Sequence, residues 1–488
     1  MSGSIGSSDD VFDVTIIGGG VVGAAIAREF SKYEASVALV EADADVGAGT
    51  SKANTAILHT GYDAKPGTLE ARLVRRGWEL FGELAPELGI PVERVGALLV
   101  AWTSEELAEL DPIREQAVAN GYEMTRRLKP AEVYELEPHL GEGALGGLEV
   151  PGESIVCTFT SPLAFATQAI ANGVCLRLDS KVLGIAHRET GEHLLELTNS
   201  QRIMTRWLVN AAGLGSDEID RMLGHERFTI APRRGELIVF DKLARGLVNH
   251  ILLPVPTKLG KGVLVAPTVY GNVVLGPSTE EIDDREATGS TAAGLEGLLA
   301  KGRRIMPALL EQEVTATYAG LRAATEHSDY QLFLEGAQRY VCVAGIRSTG
   351  LTASPAIAEH VVELVASAGD AFRPKSTFKP IRMPNIGEAG TRPYQDGVAI
   401  DKDARYGSVV CHCEYVTRGE VLDALQAPIP ARTVDGLRRR TRALLGRCQG
   451  FYCLAEILEL IAERTGSDVE HLLALPAESS RGSRNGAA

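Results

Sequence analysis

The first apolar block of the chain is Val11–Ile17 (VFDVTII), a β-branched run that predicts a buried strand. Gly18-Gly19-Gly20-Val21-Val22-Gly23 follows at once. Ala24–Tyr33 is Ala-rich with helical spacing, and Ser36–Glu41 (SVALVE) predicts a second strand closed by an acid. Together these form a βαβ unit. From Gly82 the pattern changes, with short helical stretches alternating with β-like pieces such as Gly96–Ala101. Leu163–Asn172 predicts a helix, Val174–Leu178 and Lys181–Ile185 predict strands, and Trp207–Gly213 predicts a strand running into a glycine turn. Between about 230 and 346 the pattern is largely antiparallel: Glu236–Phe240, Ile251–Val255, a hairpin over Gly262–Gly276 turning at Gly271-Asn272, and a pair Tyr330–Leu334 and Tyr340–Ala344. Ser354–Ser367 returns to helix, and Phe372–Thr391, with Pro374, Pro380 and Pro384, reads as a linker. There is no internal repeat.

A chain of 488 residues is expected to hold two or three domains. Its net charge of −15 argues against a nucleic-acid binder. Residues 401–488 carry twelve basic and twelve acidic side chains, so the negative charge belongs to residues 1–400 and the tail reads as a separate unit. Met1–Asp10 has no apolar core of a signal peptide, and no apolar run of about 18 residues predicts a membrane span. A cytoplasmic location follows as the expectation, with peripheral docking at the inner face of a membrane left open. Residues 476–488 read as a disordered tail.

The glycine motif alone is weak. Its context strengthens it, because it follows a strand, opens a helix, and has Glu41 at the end of the next strand. Gly18, Gly20 and Gly23 let the backbone approach a pyrophosphate, the helix N-terminus offers free N–H groups, and Glu41 can accept from a ribose diol. A second match, Gly141–Gly146, follows no strand and reads as loop. The motif does not by itself choose between NAD and FAD.

The other chemical signature is four cysteines. Cys411 and Cys413 form a C-x-C pair, and Cys448 and Cys453 form a C-x₄-C pair 34 residues on. Thiolates suit iron–sulfur clusters and zinc, but zinc ribbons usually use C-x₂₋₄-C spacing. Such clustering fits a metal site in a reducing compartment better than disulfides. Cys157, Cys175 and Cys342 lie in apolar, strand-like segments and read as core.

Three segments then resemble the D-amino-acid oxidase / glycerol-3-phosphate dehydrogenase superfamily of FAD enzymes: Thr50–Gly61 (TSKANTAILHTG), Asn210–Gly213 (NAAG) and Gly345–Ser354 (GIRSTGLTAS). The resemblance implies that Thr50, Ser51 and Asn54, then Ala211 and Gly213, then Gly345, Gly350, Leu351 and Thr352, contact FAD. It implies an α/β fold, with a Rossmann-type FAD-binding domain (about 10–80, 150–220 and 340–371) interleaved with an antiparallel-sheet substrate domain (about 82–150 and 225–335). Arg322, in YAGLR, matches the family arginine that holds the anionic group of the substrate, and His59 matches the position proposed as base or substrate contact. Arg234 resembles a second contact in the L-2-hydroxyglutarate branch, and the stretch Lys65–Ala71 is similar to that branch as well. Residues 405–475 resemble the bacterioferritin-associated-ferredoxin-like domain, which implies a small, mostly helical unit with one 2Fe–2S cluster on Cys411, Cys413, Cys448 and Cys453, after a linker at 372–404. The arginines at 438–442 then read as a helix face near the cluster, where positive charge offsets the thiolates.

These resemblances imply a dehydrogenase for a small anionic secondary alcohol, with electrons leaving through the cluster to a quinone or partner protein, in a possible hetero-oligomer. The leading substrate is a 2-hydroxy acid such as L-2-hydroxyglutarate. sn-Glycerol 3-phosphate comes next and an amino or imino acid third. A direct oxidase with a vestigial cluster and a non-catalytic electron-transfer module are the competing readings; Arg322 and His59 argue against the latter.

Overall fold

The computed structural model describes residues 11–256 and 262–474. Met1–Asp10 and the tail expected to be disordered lie outside the described residues.

Strand β1 (Val11–Ile17) sits inside an eight-stranded sheet. β2 (Val37–Val40) pairs with it in parallel on one side and Arg202–Asn210 on the other, and Cys175–Arg177 and Tyr340–Ala344 extend the parallel set. All four β2 residues are buried, the continuous apolar reading of a strand covered on both faces. Helix α1 (Val21–Phe30) and helix α2 (Gly350–Ser367) cover one face and share a core. Their Ala24, Ala27, Ala353 and Ala356 are nearly fully buried, and small side chains allow close helix contact.

A second, nine-stranded sheet is mostly antiparallel and is built around β3 (Ala231–Phe240) and β4 (Val314–Ala324). The two interleave along the chain, as expected. The antiparallel pair Gln331–Glu335 and Tyr340–Ala344 forms, but it belongs to the eight-stranded sheet. The last strand of the substrate sheet is therefore β4, which ends at Ala324, about eleven residues before the expected boundary at 335.

The proline-rich segment after α2 is a strap rather than a free linker. The Arg373 carbonyl accepts from Glu34 N–H, while Lys375, Met383 and Glu388 donate their N–H groups to the carbonyls of Lys32, Leu88 and Val269. Ile386 is buried. The C-terminal unit has a short strand pair, Val409–Cys411 and Val416–Thr417, and four helices with one small core.

The arginine run does not serve as a charged face turned to the thiols. On helix α3 (Val434–Thr441), Arg438 pairs with Asp435, while Arg439 and Arg440 are buried against Asp45 of the first domain. Arg442 pairs with Glu414 and lies over the Tyr270 ring, 4.1 Å from its centroid. Carboxylates thus neutralise these cations, and the run forms the seam between domains. Among the described residues no helix is long and apolar enough to cross a membrane.

Candidate active site and cluster site

A cavity of about 1330 Å³ opens where the parallel strands end and reaches the antiparallel sheet. Gly18, Gly20, Glu41, Thr50, Ser51, Asn54, Ala211, Gly213, Gly345, Gly350 and Leu351 line it, with His59 and Arg322. Segments separated by hundreds of residues are thus brought to one space.

Two of the expected FAD contacts do not line it. Gly23 packs on the turn instead: a Cβ there would lie 1.8 Å from the Gly18 carbonyl oxygen, so only glycine lets α1 sit this close to β1. Thr352 is fully buried, and its Oγ1 accepts from the His59 N–H at 3.0 Å. It therefore holds the backbone of the histidine.

The loop at 50–54 is bolted from both sides. Ser51 Oγ accepts from the Val21 N–H at 2.9 Å, at the start of α1, and Thr50 Oγ1 donates to the Leu321 carbonyl at 2.9 Å on β4. Asn54 closes the loop on itself, donating to the Ser51 carbonyl and accepting from the Ala56 N–H. Glu41 accepts from the N–H groups of Gly19 (2.6 Å) and Asp43 (2.8 Å). Burial outweighs these bonds and pushes its carboxyl up to about 7.

At the far end of the cavity, His59 Nδ1 lies 2.9 Å from Glu153 Oε2. Glu153 is fully buried, and its other oxygen accepts from the N–H and hydroxyl of Thr60. This acid was not foreseen. It follows Pro151-Gly152 just before the strand Ser154–Val156, where no motif marks it. The Gly152 carbonyl accepts from Trp78 Nε1, and its N–H donates to the Tyr122 hydroxyl, so two aromatic side chains set the turn.

Arg322 on β4 is half-buried and makes no ion pair among the described residues. Burial, and then the Arg233 cation directly opposite it on β3, hold its guanidinium below the usual value. Gly235 makes room for it, since a Cβ there would lie 2.8 Å from Arg322 Nη2. Arg234 is not part of this site. Side chains alternate along β3, so Arg233, Gly235 and Leu237 face the cavity and Arg234 points away. It donates to Glu280 (2.5 Å) and to the Gly289 carbonyl (3.3 Å).

The four cysteines converge as two hydrogen-bonded pairs, Cys411 with Cys453 and Cys413 with Cys448. No three His, Cys, Asp or Glu side chains gather on a single point among the described residues. The hydrogen bond from Cys453, with help from the N–H groups of Leu444 and Glu414, brings Cys411 down to about 6. Burial would raise Cys448, but the N–H groups of Tyr452 and Gly450 and the Cys413 thiol lower it. Tyr415, Arg442, Leu444 and Gln449 all have positive φ, from 49° at Gln449 to 71° at Arg442. Non-glycine residues rarely take this conformation. The N–H groups of Glu414 and Leu444 point at Cys411, and those of Gly450 and Tyr452 at Cys448. Four thiols in two pairs, wrapped in N–H donors, fit a 2Fe–2S cluster. Cys157 and Cys342 are buried core residues as expected, while Cys175 is half-buried.

The family model for FAD dependent oxidoreductases matches residues 13–364. The chain belongs to that family. The model for the BFD-like [2Fe-2S] binding domain matches residues 409–463. The protein is therefore an FAD-dependent oxidoreductase carrying a 2Fe–2S domain. A glycerol 3-phosphate dehydrogenase of Caloramator mitchellensis is 38% identical over 465 residues, covering 95% of this chain and 96% of that one. The mitochondrial L-2-hydroxyglutarate dehydrogenase of Arabidopsis thaliana is 27% identical over 72% of this chain and 82% of its own. Among solved structures, the dithionite-reduced, FAD-bound L-α-glycerophosphate oxidase of Mycoplasma pneumoniae aligns with a TM-score of 0.73 at 28% identity, over 77% of this chain and 100% of that one.

Proposed function

We propose that this FAD enzyme oxidises sn-glycerol 3-phosphate and sends the electrons through its 2Fe–2S cluster to a quinone or a partner protein. The observation that carries the reading is a cavity holding Arg322, which has no counter-charge among the described residues, together with the His59–Glu153 pair. A guanidinium fork suits a phosphate dianion, and the basic imidazole suits the neighbouring hydroxyl. The 2-hydroxy-acid reading that leads from the sequence gives way here. The glycerol 3-phosphate dehydrogenase relative spans nearly the whole chain at 38% identity, and the L-2-hydroxyglutarate dehydrogenase relative is more distant.

Bound FAD supplies the hydride acceptor. The Gly18–Gly20 turn and the N-terminus of α1 would hold its pyrophosphate, Glu41 its ribose, and the N-terminus of α2 the flavin ring. Arg322 grips the phosphate and fixes the distance to the hydroxyl. His59 donates Nδ1–H to Glu153, and its other ring nitrogen, Nε2, takes the hydroxyl proton as the hydride departs. The buried Glu153 carboxylate stabilises the imidazolium that results. Cys411, Cys413, Cys448 and Cys453 would hold the cluster.

Anaerobic mixing tests the assignment. Glycerol 3-phosphate is expected to bleach the flavin band within one turnover. Bleaching by L-2-hydroxyglutarate with none by glycerol 3-phosphate would overturn it. Cys448→Ser is expected to spare the bleaching and to abolish turnover with a quinone or partner acceptor.

A further inference from the structure

The loop joining β2 to the segment at 50–54 has two sides. Glu41, Ala42, Asp43, Gly49 and Thr50 face the cavity, while Asp45 is buried on the far side beneath the C-terminal domain. Its Oδ2 accepts from Arg439 Nη2 and from Arg440 Nη1, each at 2.7 Å, and its Oδ1 accepts from Arg440 Nη2 at 2.8 Å. Arg440 is itself held in place, donating to the carbonyls of Ile429 and Gly436. Burial alone would raise the Asp45 carboxyl, but Arg440 and Arg439 overcome it and hold it below the ordinary carboxylate value. The rest of the seam runs to the cysteines. Glu414, next to Cys413, pairs with Lys242 at 2.9 Å, and Arg447, next to Cys448, pairs with Asp241 at 2.9 Å. One contact network thus spans from the back of the cofactor loop to the sulfur ligands.

We infer that Asp45, Arg439 and Arg440 form a docking lock that fixes the gap between flavin and cluster, and that they are positioning residues for electron transfer between the two and not for substrate oxidation. A hydride delivers two electrons and a 2Fe–2S cluster carries one, so each turnover needs two passes. In each pass one electron leaves the reduced flavin for the oxidised cluster, which gives it up to the acceptor before the next. Electron transfer slows steeply with distance, so a domain that must receive twice per turnover gains from a fixed seat. The geometry suits this use. Three buried, mutually bonded groups allow one orientation, because a carboxylate gripped by a bidentate fork has little freedom to rotate.

The test uses the full-length holoenzyme carrying Asp45→Asn, which keeps the shape and removes the charge. The flavin is reduced by a flash in the absence of substrate, so the outcome does not depend on which substrate the enzyme takes. FAD and cluster content, read from absorbance, are expected to be unchanged. Transfer from flavin to cluster is expected to slow at least tenfold, and backbone hydrogen exchange over 434–441 to rise at least tenfold. Flavin reduction by substrate is expected to stay within twofold. Asp45→Glu is expected to restore most of the transfer rate. Transfer and exchange both within twofold of the parent would overturn the lock. So would slowed flavin reduction by the same factor, which would place Asp45 in service of the flavin site. If Asp45→Asn does not fold, Arg439→Gln keeps the Arg440 fork and is expected to slow transfer by a smaller factor; an unchanged rate there overturns the proposal equally.

Discussion

Two sets of arginines in this molecule differ in one respect. Arg439, Arg440 and Arg442 are buried and matched by Asp45 and Glu414. Arg322 is half-buried, faces another cation across the strands, and has no acid against it among the described residues. A buried charge with its partner in place is part of the architecture. A partly buried charge without one is a cost that the fold tolerates only where a ligand brings the opposite charge. The contrast separates a seam from a site without reference to any relative.

The sharpest way to break that contrast is Arg322→Met. The kcat/KM for glycerol 3-phosphate is expected to fall about 10³-fold, roughly 4 kcal/mol of transition-state binding. The melting temperature of the substrate-free protein is expected to hold or rise, since a like-charge pair is removed. A lower melting temperature would put Arg322 among the structural arginines. Next in size is Glu153→Gln, which keeps the hydrogen-bonding shape and removes the charge behind His59. A loss of about 10²-fold in kcat with little change in KM is expected, within the range for general-base catalysis; steady-state kinetics decide it.

Two acids on one loop extend the comparison to pH. Asp45 is lowered by its arginines, so the folded state loses that pairing only as pH falls through a value below the ordinary 3.8. Glu41 is raised to about 7 from an ordinary 4.5, chiefly by burial. Between those values the folded protein without FAD holds a proton that the unfolded chain has released. Its stability is therefore expected to fall as pH rises from about 4.5 through about 7, and Glu41→Gln to flatten the slope. Thermal melts of the apoprotein across that window read the sign directly. The smallest effect belongs to Arg234→Ala, expected to leave KM within about threefold. A tenfold rise would show that the outward face of β3 does reach substrate.

Much of this was legible before the fold was known, because the chemistry sat in local words. The strand–glycine–helix–strand–acid order requires only neighbouring residues to be read, and so do the two cysteine pairs. Other parts had no local expression. Glu153 meets His59 across 94 residues, and Asp45 meets Arg440 across 395. Only the folded sheets bring them together. The adjacent arginines at 233 and 234 look alike as a dipeptide. Which one faces the cavity is decided by the register of β3 against β4, a property of the sheet. The run at 438–442 announced its charge but not the carboxylates that take it up.

The strap has a further consequence for how strong the seam must be. Among the described residues its last backbone tie to the first domain is at Glu388, and the C-terminal domain begins its first strand at Val409. The residues between them include the short helix Gly397–Lys402; unwound on release of the domain, about 20 residues would span on the order of 25 Å. A domain released on such a leash meets its seat at a local concentration on the order of millimolar. Even a lock of modest intrinsic affinity therefore closes again after each release, and an identical domain supplied free in solution would compete poorly for the same seat.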